Sequence, residues 1–250
     1  MTEKAQGPAA EGAKPRRNAS RRPLALTAEL VALVERQVPD PGIEAGYAPL
    51  TDDDFDSFAH ALLGQNDGAP IWLFAYGSLI WKPDFDHVDH FACRAIGWRR
   101  SYCLHDLRWR ASPDAPGLIM ALDRGGSCNG VAYRLPSGND HAQLLRLLRR
   151  ETAYQGDFDS VRWITVRGRE KAVRALVFWA GPRKDPSYLR LPLEAQAVRL
   201  ARASGHLGSA AAYLQETVVH LQSFGIYDAY LWTLQEMVAS EIRRLHHAED

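Results

Sequence analysis

Apolar positions change their period along the chain, and the changes mark its elements. Between Thr27 and Val38, Leu30, Leu33 and Val34 recur at helical spacing, with Thr27 as a cap and Pro39 as a stop, which predicts a helix. A loop over Asp40–Pro49 follows. The run Thr51-Asp52-Asp53-Asp54 then leads into Phe55, Phe58, Ala59, Leu62 and Leu63, a second helix whose acidic first turn suits the macrodipole and needs no metal to explain it. At Ile71 the pattern switches to a short continuous apolar run, Ile71–Tyr76, closed by Gly77-Ser78, which reads as a buried strand ending in a tight loop. Further strand-like runs cover His90–Ile96, Trp98–Leu104, Leu118–Leu122 and Gly130–Leu135, followed by a helical stretch from about Asp140 to Thr152. Strands resume at Val161–Arg167 and Ala172–Ala180, and helices close the chain near Leu193–Ser204, Ser209–Ser223 and Asp228–Leu245. Strands, one inserted helix, then helices describe an α+β domain, not alternating βαβ units.

Composition alters this picture mainly at the N-terminus. Residues 1–22 have almost no large apolar groups, so the composition predicts a disordered arm. Its basic cluster, Arg16, Arg17, Arg21 and Arg22, could touch a polyanion, although a solvated tail explains it more simply. Residues 23–69 read as a helical extension packed on a main domain over 70–250. Lys+Arg and Asp+Glu are both 30, so no net field draws in nucleic acid or an anionic membrane. No apolar run approaches the roughly 18 residues of a membrane helix, and no apolar stretch backs the N-terminal basic residues as in a secretory signal. Three widely spaced cysteines, Cys93, Cys103 and Cys128, fit neither a zinc site nor a disulfide framework and point to reduced packing thiols in the cytoplasm.

Two features carry chemistry. The first is the segment Phe74–Phe85, where a glycine just past a buried strand permits a sharp turn and close approach of a ligand. Successive loop N–H groups there can face a carboxylate or a developing oxyanion; a purely structural strand–Gly–Ser turn is the alternative. The second is Glu151, which continues the apolar stripe of Leu144, Leu147 and Leu148. A carboxylate on a buried face, near a helix C-terminus, is disfavoured as an anion. A raised pKa suits a group that accepts and then returns a proton near neutral pH. An ion pair with Arg149, Arg150 or another arginine is the competing reading.

The wording of these segments resembles the ChaC-type γ-glutamylcyclotransferase family. Tyr76-Gly77-Ser78-Leu79-Ile80-Trp81-Lys82-Pro83-Asp84-Phe85 is similar to the family's YGSL loop. Arg110–Gly117 resembles its RGTPEKPG, Gly130–Leu135 its GVAYRL strand, Arg150-Glu151 the RE that carries its catalytic glutamate, and Asp185–Leu189 an NPDYL-like segment that helps close the substrate pocket. The ordered set spans about residues 70–240, and the helical extension is similar to that of bacterial members. One stretch departs from the pattern: where bacterial members run REM-x-x-G-x-Y, this chain has Asp157 in place of the tyrosine, with Tyr154 and Phe158 nearby, and Trp163 lies about two positions late. That predicts a lengthened loop after Glu151.

The resemblance implies a small β-barrel of the γ-glutamylcyclotransferase-like type with flanking helices, a catalytic domain over 70–250, and no cofactor or metal. It implies a small-molecule substrate, glutathione or a related γ-glutamyl compound, whose α-amine closes on its own γ-carbonyl to give 5-oxoproline, with Glu151 moving the proton. The backbone of Tyr76, Gly77, Ser78 and Leu79 would bind the substrate, Arg110 its glycine carboxylate as a fork, and Tyr188 would donate a hydrogen bond. For Arg110 an ordinary ion pair, and for Tyr188 packing in a loop, are the alternatives. Trp81 is a candidate pocket wall, Lys82 a loop cap, and the neighbouring His105 and Asp106 are not expected to form a dyad. Two other functions stay open: action on other γ-glutamyl amines or dipeptides, and a binding or regulatory protein without turnover.

Overall fold

The computed structural model describes residues 23–43 and 46–247; the basic arm expected over 1–22 lies outside them. Thr27 caps helix α1 (Ala28–Val34), its Oγ1 accepting from the Leu30 N–H at 3.5 Å. This helix is shorter than the apolar spacing predicts. The backbone turns extended at Glu35, whose carboxylate accepts from the Ser209 N–H at 3.2 Å. Helix α2 (Asp52–Gln65) opens on a reciprocal capping box: Thr51 Oγ1 accepts from the Asp54 N–H at 3.2 Å and the Asp54 carboxylate accepts from the Thr51 N–H at 2.8 Å.

Strand β1 (Trp72–Ala75) is followed by a one-turn helix α3 (Ser78–Trp81) and by two long strands, β2 (Asp89–Asp106) and β3 (Gly117–Arg134). With β4 (Val161–Arg167) and β5 (Ala172–Phe178) they form a closed barrel in the order β1-β3-β2-β4-β5, sealed by parallel pairing of Leu73 with Leu176. The four strand-like runs expected between 90 and 135 are therefore two strands. Their apolar alternation breaks where Ile96 pairs with Ser127 and Trp98 with Arg124, leaving Gly97 opposite Gly125-Gly126. All three glycines have positive φ, 85°, 110° and 68°, so the breaks are a bulged bend and not a chain reversal.

Helix α4 (Asp140–Glu151) follows β3; α5 (Leu193–Arg202), the two-residue strands β6 (Ser204–Gly205) and β7 (Gly208–Ser209), α6 (Ala210–Ser223) and α7 (Ala229–His247) complete the chain. The barrel interior holds Phe74, Ala95, Leu122, Cys128, Ala132, Val166 and Val177. A second apolar layer joins the outside of the barrel to the helices, with α1 against α6 and α7 and α2 against α4. All three cysteines are unpaired and buried, and burial pushes their thiols up, Cys128 to about 11. None is a thiolate near neutral pH. Among the described residues no helix is long and apolar enough to cross a membrane.

Candidate active site

Helix α4 is anchored by Leu144, Leu147 and Leu148, all 2% exposed or less. Burial of each contributes about 1.5–3 kcal/mol, enough to hold the last residue of the helix, Glu151, at the wall of the site. Its side chain is 20% exposed, and the Arg150 Nε donates to its Oε1 at 3.0 Å. The two readings drawn from the sequence therefore coexist: Glu151 is both desolvated and paired with Arg150. Burial is the larger influence and raises the carboxyl's pKa above its ordinary value, against the opposing attraction of Arg150. The same guanidinium donates to the carbonyls of Lys82 and Pro83. Arg150 thus fastens the end of α4 to the chain leaving α3, which places Glu151 near the glycine loop.

That loop is held from beneath by Arg100, which the apolar pattern did not single out. Its side chain is fully buried; Nε donates to the Tyr76 carbonyl at 2.7 Å, one amino group to the Asn129 carbonyl at 2.6 Å and the other to Asp228 at 2.9 Å. Gly77 follows, and its requirement is close approach: a Cβ there would stand 2.8 Å from the Tyr213 hydroxyl and 2.9 Å from the Met120 methyl. The Ser78 N–H donates to Tyr213 Oη at 3.3 Å. Arg110 lies over the Tyr213 ring, 5.1 Å from its centroid, and donates to the Ser209 carbonyl at 3.3 Å. Trp81 packs edge-on against the same ring at 5.9 Å, and its indole N–H donates to Thr217.

Tyr213, on α6, thus joins the loop to Arg110; burial raises the pKa of Tyr213 and of Tyr76, and the charge of Glu151 acts on both in the same direction. Nothing local in the sequence marked Tyr213; only folding brings α6 under Ser78. Close to Tyr213 and Arg110 sits Tyr102, 1% exposed, whose hydroxyl has no hydrogen-bond partner among the described residues. A donor or acceptor on a ligand would satisfy it.

Asp106 is also structural support. Its buried carboxylate accepts from the N–H groups of Arg108, Trp109 and Arg110 at 3.0, 2.8 and 2.9 Å, which builds the turn that presents Arg110. The carboxylate is committed to that turn and not to His105. Tyr188 is not joined to the Glu151 cluster. Its hydroxyl donates at 3.0 Å to Asp123, on the face of β3 opposite Met120. It lines a cavity of about 990 Å³ with Arg100, Tyr102 and Asp228; neither Glu151 nor residues 76–79 line it, and Arg100 and Tyr102 are shared between its wall and the support of the glycine loop.

The chain after Glu151 forms a compact loop. Asp157 fills the place where relatives of the resembled family carry tyrosine, and its carboxylate accepts from the Ala153 and Tyr154 N–H groups at 2.7 and 2.8 Å. The segment before α2 covers it: the Leu50 N–H donates to the Ala153 carbonyl and the Gln155 N–H to the Ala48 carbonyl. Arg108 bridges Asp40 and the Tyr154 hydroxyl, at 2.8 and 2.7 Å, and Phe158 stacks on Phe58 of α2 at 4.0 Å.

The chain is thus a small closed barrel with flanking helices and a largely buried carboxylate at the end of α4. A family model described as ChaC-like protein matches residues 71–241, and the chain belongs to that family. A glutathione-specific gamma-glutamylcyclotransferase of Escherichia coli (strain K12) is 33% identical over 180 residues, 69% of this chain and 74% of the relative. The human glutathione-specific gamma-glutamylcyclotransferase 1 is 32% identical over 168 residues, 64% and 75%. The crystal structure of a yeast γ-glutamyl cyclotransferase specific to glutathione superposes with a TM-score of 0.60 at 20% identity, covering 69% of this chain and 99% of that one, and shares the fold.

Proposed function

We propose that the protein is a γ-glutamylcyclotransferase, a lyase that converts glutathione to 5-oxoproline and cysteinylglycine, and that it works in a reducing, cytoplasmic compartment. The observation that carries the reading is a carboxylate of raised proton affinity beside a backbone loop of hydrogen-bond donors. Glu151 takes a proton from the substrate's α-ammonium, which is largely charged at neutral pH. The freed amine attacks the γ-carbonyl carbon and closes the five-membered lactam. The bond from that carbon to the cysteine nitrogen breaks as that nitrogen takes the second proton shed by the ring nitrogen, and Glu151 returns the proton it holds, so that cysteinylglycine leaves as an ammonium and the ring keeps a single N–H. Ring closure is intramolecular, so holding the folded conformer supplies much of the rate. The N–H groups of Tyr76, Gly77 and Leu79 face the oxyanion in this scheme, while that of Ser78 is held by Tyr213, and Arg110, fixed by Asp106 and Tyr213, binds the glycine carboxylate.

The test compares 5-oxoproline release from glutathione and from γ-glutamyl-alanine. Faster turnover of glutathione is expected; equal rates would shift the substrate to γ-glutamyl dipeptides in general, and binding without 5-oxoproline would leave a non-catalytic binder. Two further results are expected. The rate constant kcat/KM falls as pH drops through the pKa of Glu151, because a protonated carboxyl cannot accept the ammonium proton. The midpoint of that limb lies above 4.5, the ordinary value for the group; a pH–rate profile with its acid limb at or below it would contradict the assignment. Tyr213→Phe removes the acceptor of the Ser78 N–H and is expected to lower kcat/KM about 3- to 10-fold, the worth of one neutral hydrogen bond, with little change in melting temperature.

A further inference from the structure

One cluster of ligating side chains takes no part in the reaction above. Asp56 and His60 are one helical turn apart on α2, and His141 is the second residue of α4, against which α2 packs. One ligating atom from each lies within 4.8 Å of the other two. His141 Nε2 stands 3.2 Å from Asp56 Oδ1 and His60 Nε2 stands 3.6 Å from Asp56 Oδ2, with the imidazole rings 4.3 Å apart. His141 Nε2 is buried and makes no hydrogen bond among the described residues.

We infer that Asp56, His60 and His141 bind one divalent transition-metal ion. A carboxylate only accepts, so each ring nitrogen that faces it must carry a proton or share a cation with it. A single ion meets all three groups at once. Tetrahedral coordination at about 2.0–2.1 Å sets ligand atoms about 3.3 Å apart, and the two nitrogen–oxygen separations already bracket that spacing. Two imidazoles and a carboxylate select zinc, cobalt, nickel or copper over magnesium or calcium, and three protein ligands leave a position for water. Helix α2 precedes the family-matched region, which begins at residue 71, whereas α4 ends on Glu151, about 15 Å along its axis from His141. The ion therefore clamps the N-terminal extension to the helix that carries Glu151, apart from the reacting groups.

The test is a titration of tag-free, chelator-treated full-length protein with zinc, read by calorimetry and by thermal melting. One zinc per chain is expected, with a rise in melting temperature of about 5–10 °C at a hundredfold excess of zinc over its dissociation constant. His60→Ala and Asp56→Asn, at exposed positions, should each weaken binding at least about tenfold and erase the rise without lowering the metal-free melting temperature. His141→Ala should do the same, and His87→Ala, outside the cluster and edge-on to His90 at 5.4 Å, should leave zinc binding unchanged. Equal zinc titrations for the wild type and the His60 and Asp56 variants would overturn the site, as would absence of binding to the wild type.

Discussion

Glu151→Gln is expected to cut 5-oxoproline formation by about 10²–10⁴, the usual share of a general acid–base group, while leaving the protein folded. Its effect on stability has a defined sign. Burial raises the pKa of the folded state above the unfolded value, so the folded protein holds the proton more tightly. The stability from that protonation is present below the unfolded pKa, near 4.5, and is lost as pH rises through the raised folded pKa. Above that window the wild type carries a desolvated anion and the variant does not. Arg150 keeps the carbonyls of Lys82 and Pro83 when the carboxylate is gone. At pH 8 the variant should accordingly melt at or above the wild-type temperature. Melting several degrees lower would mean that the Arg150 pair outweighs desolvation.

The largest loss of stability is expected from Arg100→Met. The fully buried guanidinium has three partners, and its removal strands Asp228, which is only 17% exposed. Asp228 also begins α7, accepting from the Leu231 N–H at 3.3 Å. Breaking a buried pair at one end costs about 3–5 kcal/mol, a fall of roughly 6–20 °C for a chain of this size. Arg100→Met with Asp228→Asn should regain part of it, because no charge is then left unpaired. Arg100→Lys should sit between, since a point charge cannot serve the Tyr76 and Asn129 carbonyls and Asp228 together. A melting shift below about 2 °C for Arg100→Met would show that the pair does not hold the glycine loop.

The α+β class was legible because it rests on periodicity, whereas the closed barrel was expected only from the family resemblance. The strand at Ile71–Tyr76, the stripe of Leu144, Leu147 and Leu148, and the caps at Thr27 and Thr51 are local signals that tertiary packing reinforces. The two long strands were read as four because Gly97, Gly125 and Gly126 interrupt alternation in the same way whether the chain bulges or turns. Helix α1 was read too long because the preference of Glu35 for the Ser209 N–H, 174 residues away, leaves no local trace. Glu151 was found as an interruption of an apolar stripe. Arg100 and Tyr213 were not found, and Asp106 was noted only as the neighbour of His105, since each acts through groups that only the barrel and its helices bring together. His60 and His141 escaped notice for the same reason. Tyr188 illustrates the converse: its segment was recognisable, but its hydroxyl is engaged by Asp123 and faces another cavity.

The extension before residue 70 also acquires a place in the account. Asp40, Ala48, Leu50 and Phe58 all contact the loop that follows Glu151, through Arg108, two backbone hydrogen bonds and the Phe158 ring. The departure from the family pattern at Asp157 therefore lies under the extension and is stabilised by it.

The central claim is tested most directly by incubating the purified protein with glutathione and quantifying 5-oxoproline, cysteinylglycine and free glutamate together. Lactam closure driven by Glu151 predicts 5-oxoproline and cysteinylglycine in equal amounts, no glutamate, and loss of both products in Glu151→Gln. Release of glutamate in place of 5-oxoproline, or undiminished 5-oxoproline from Glu151→Gln, would contradict it.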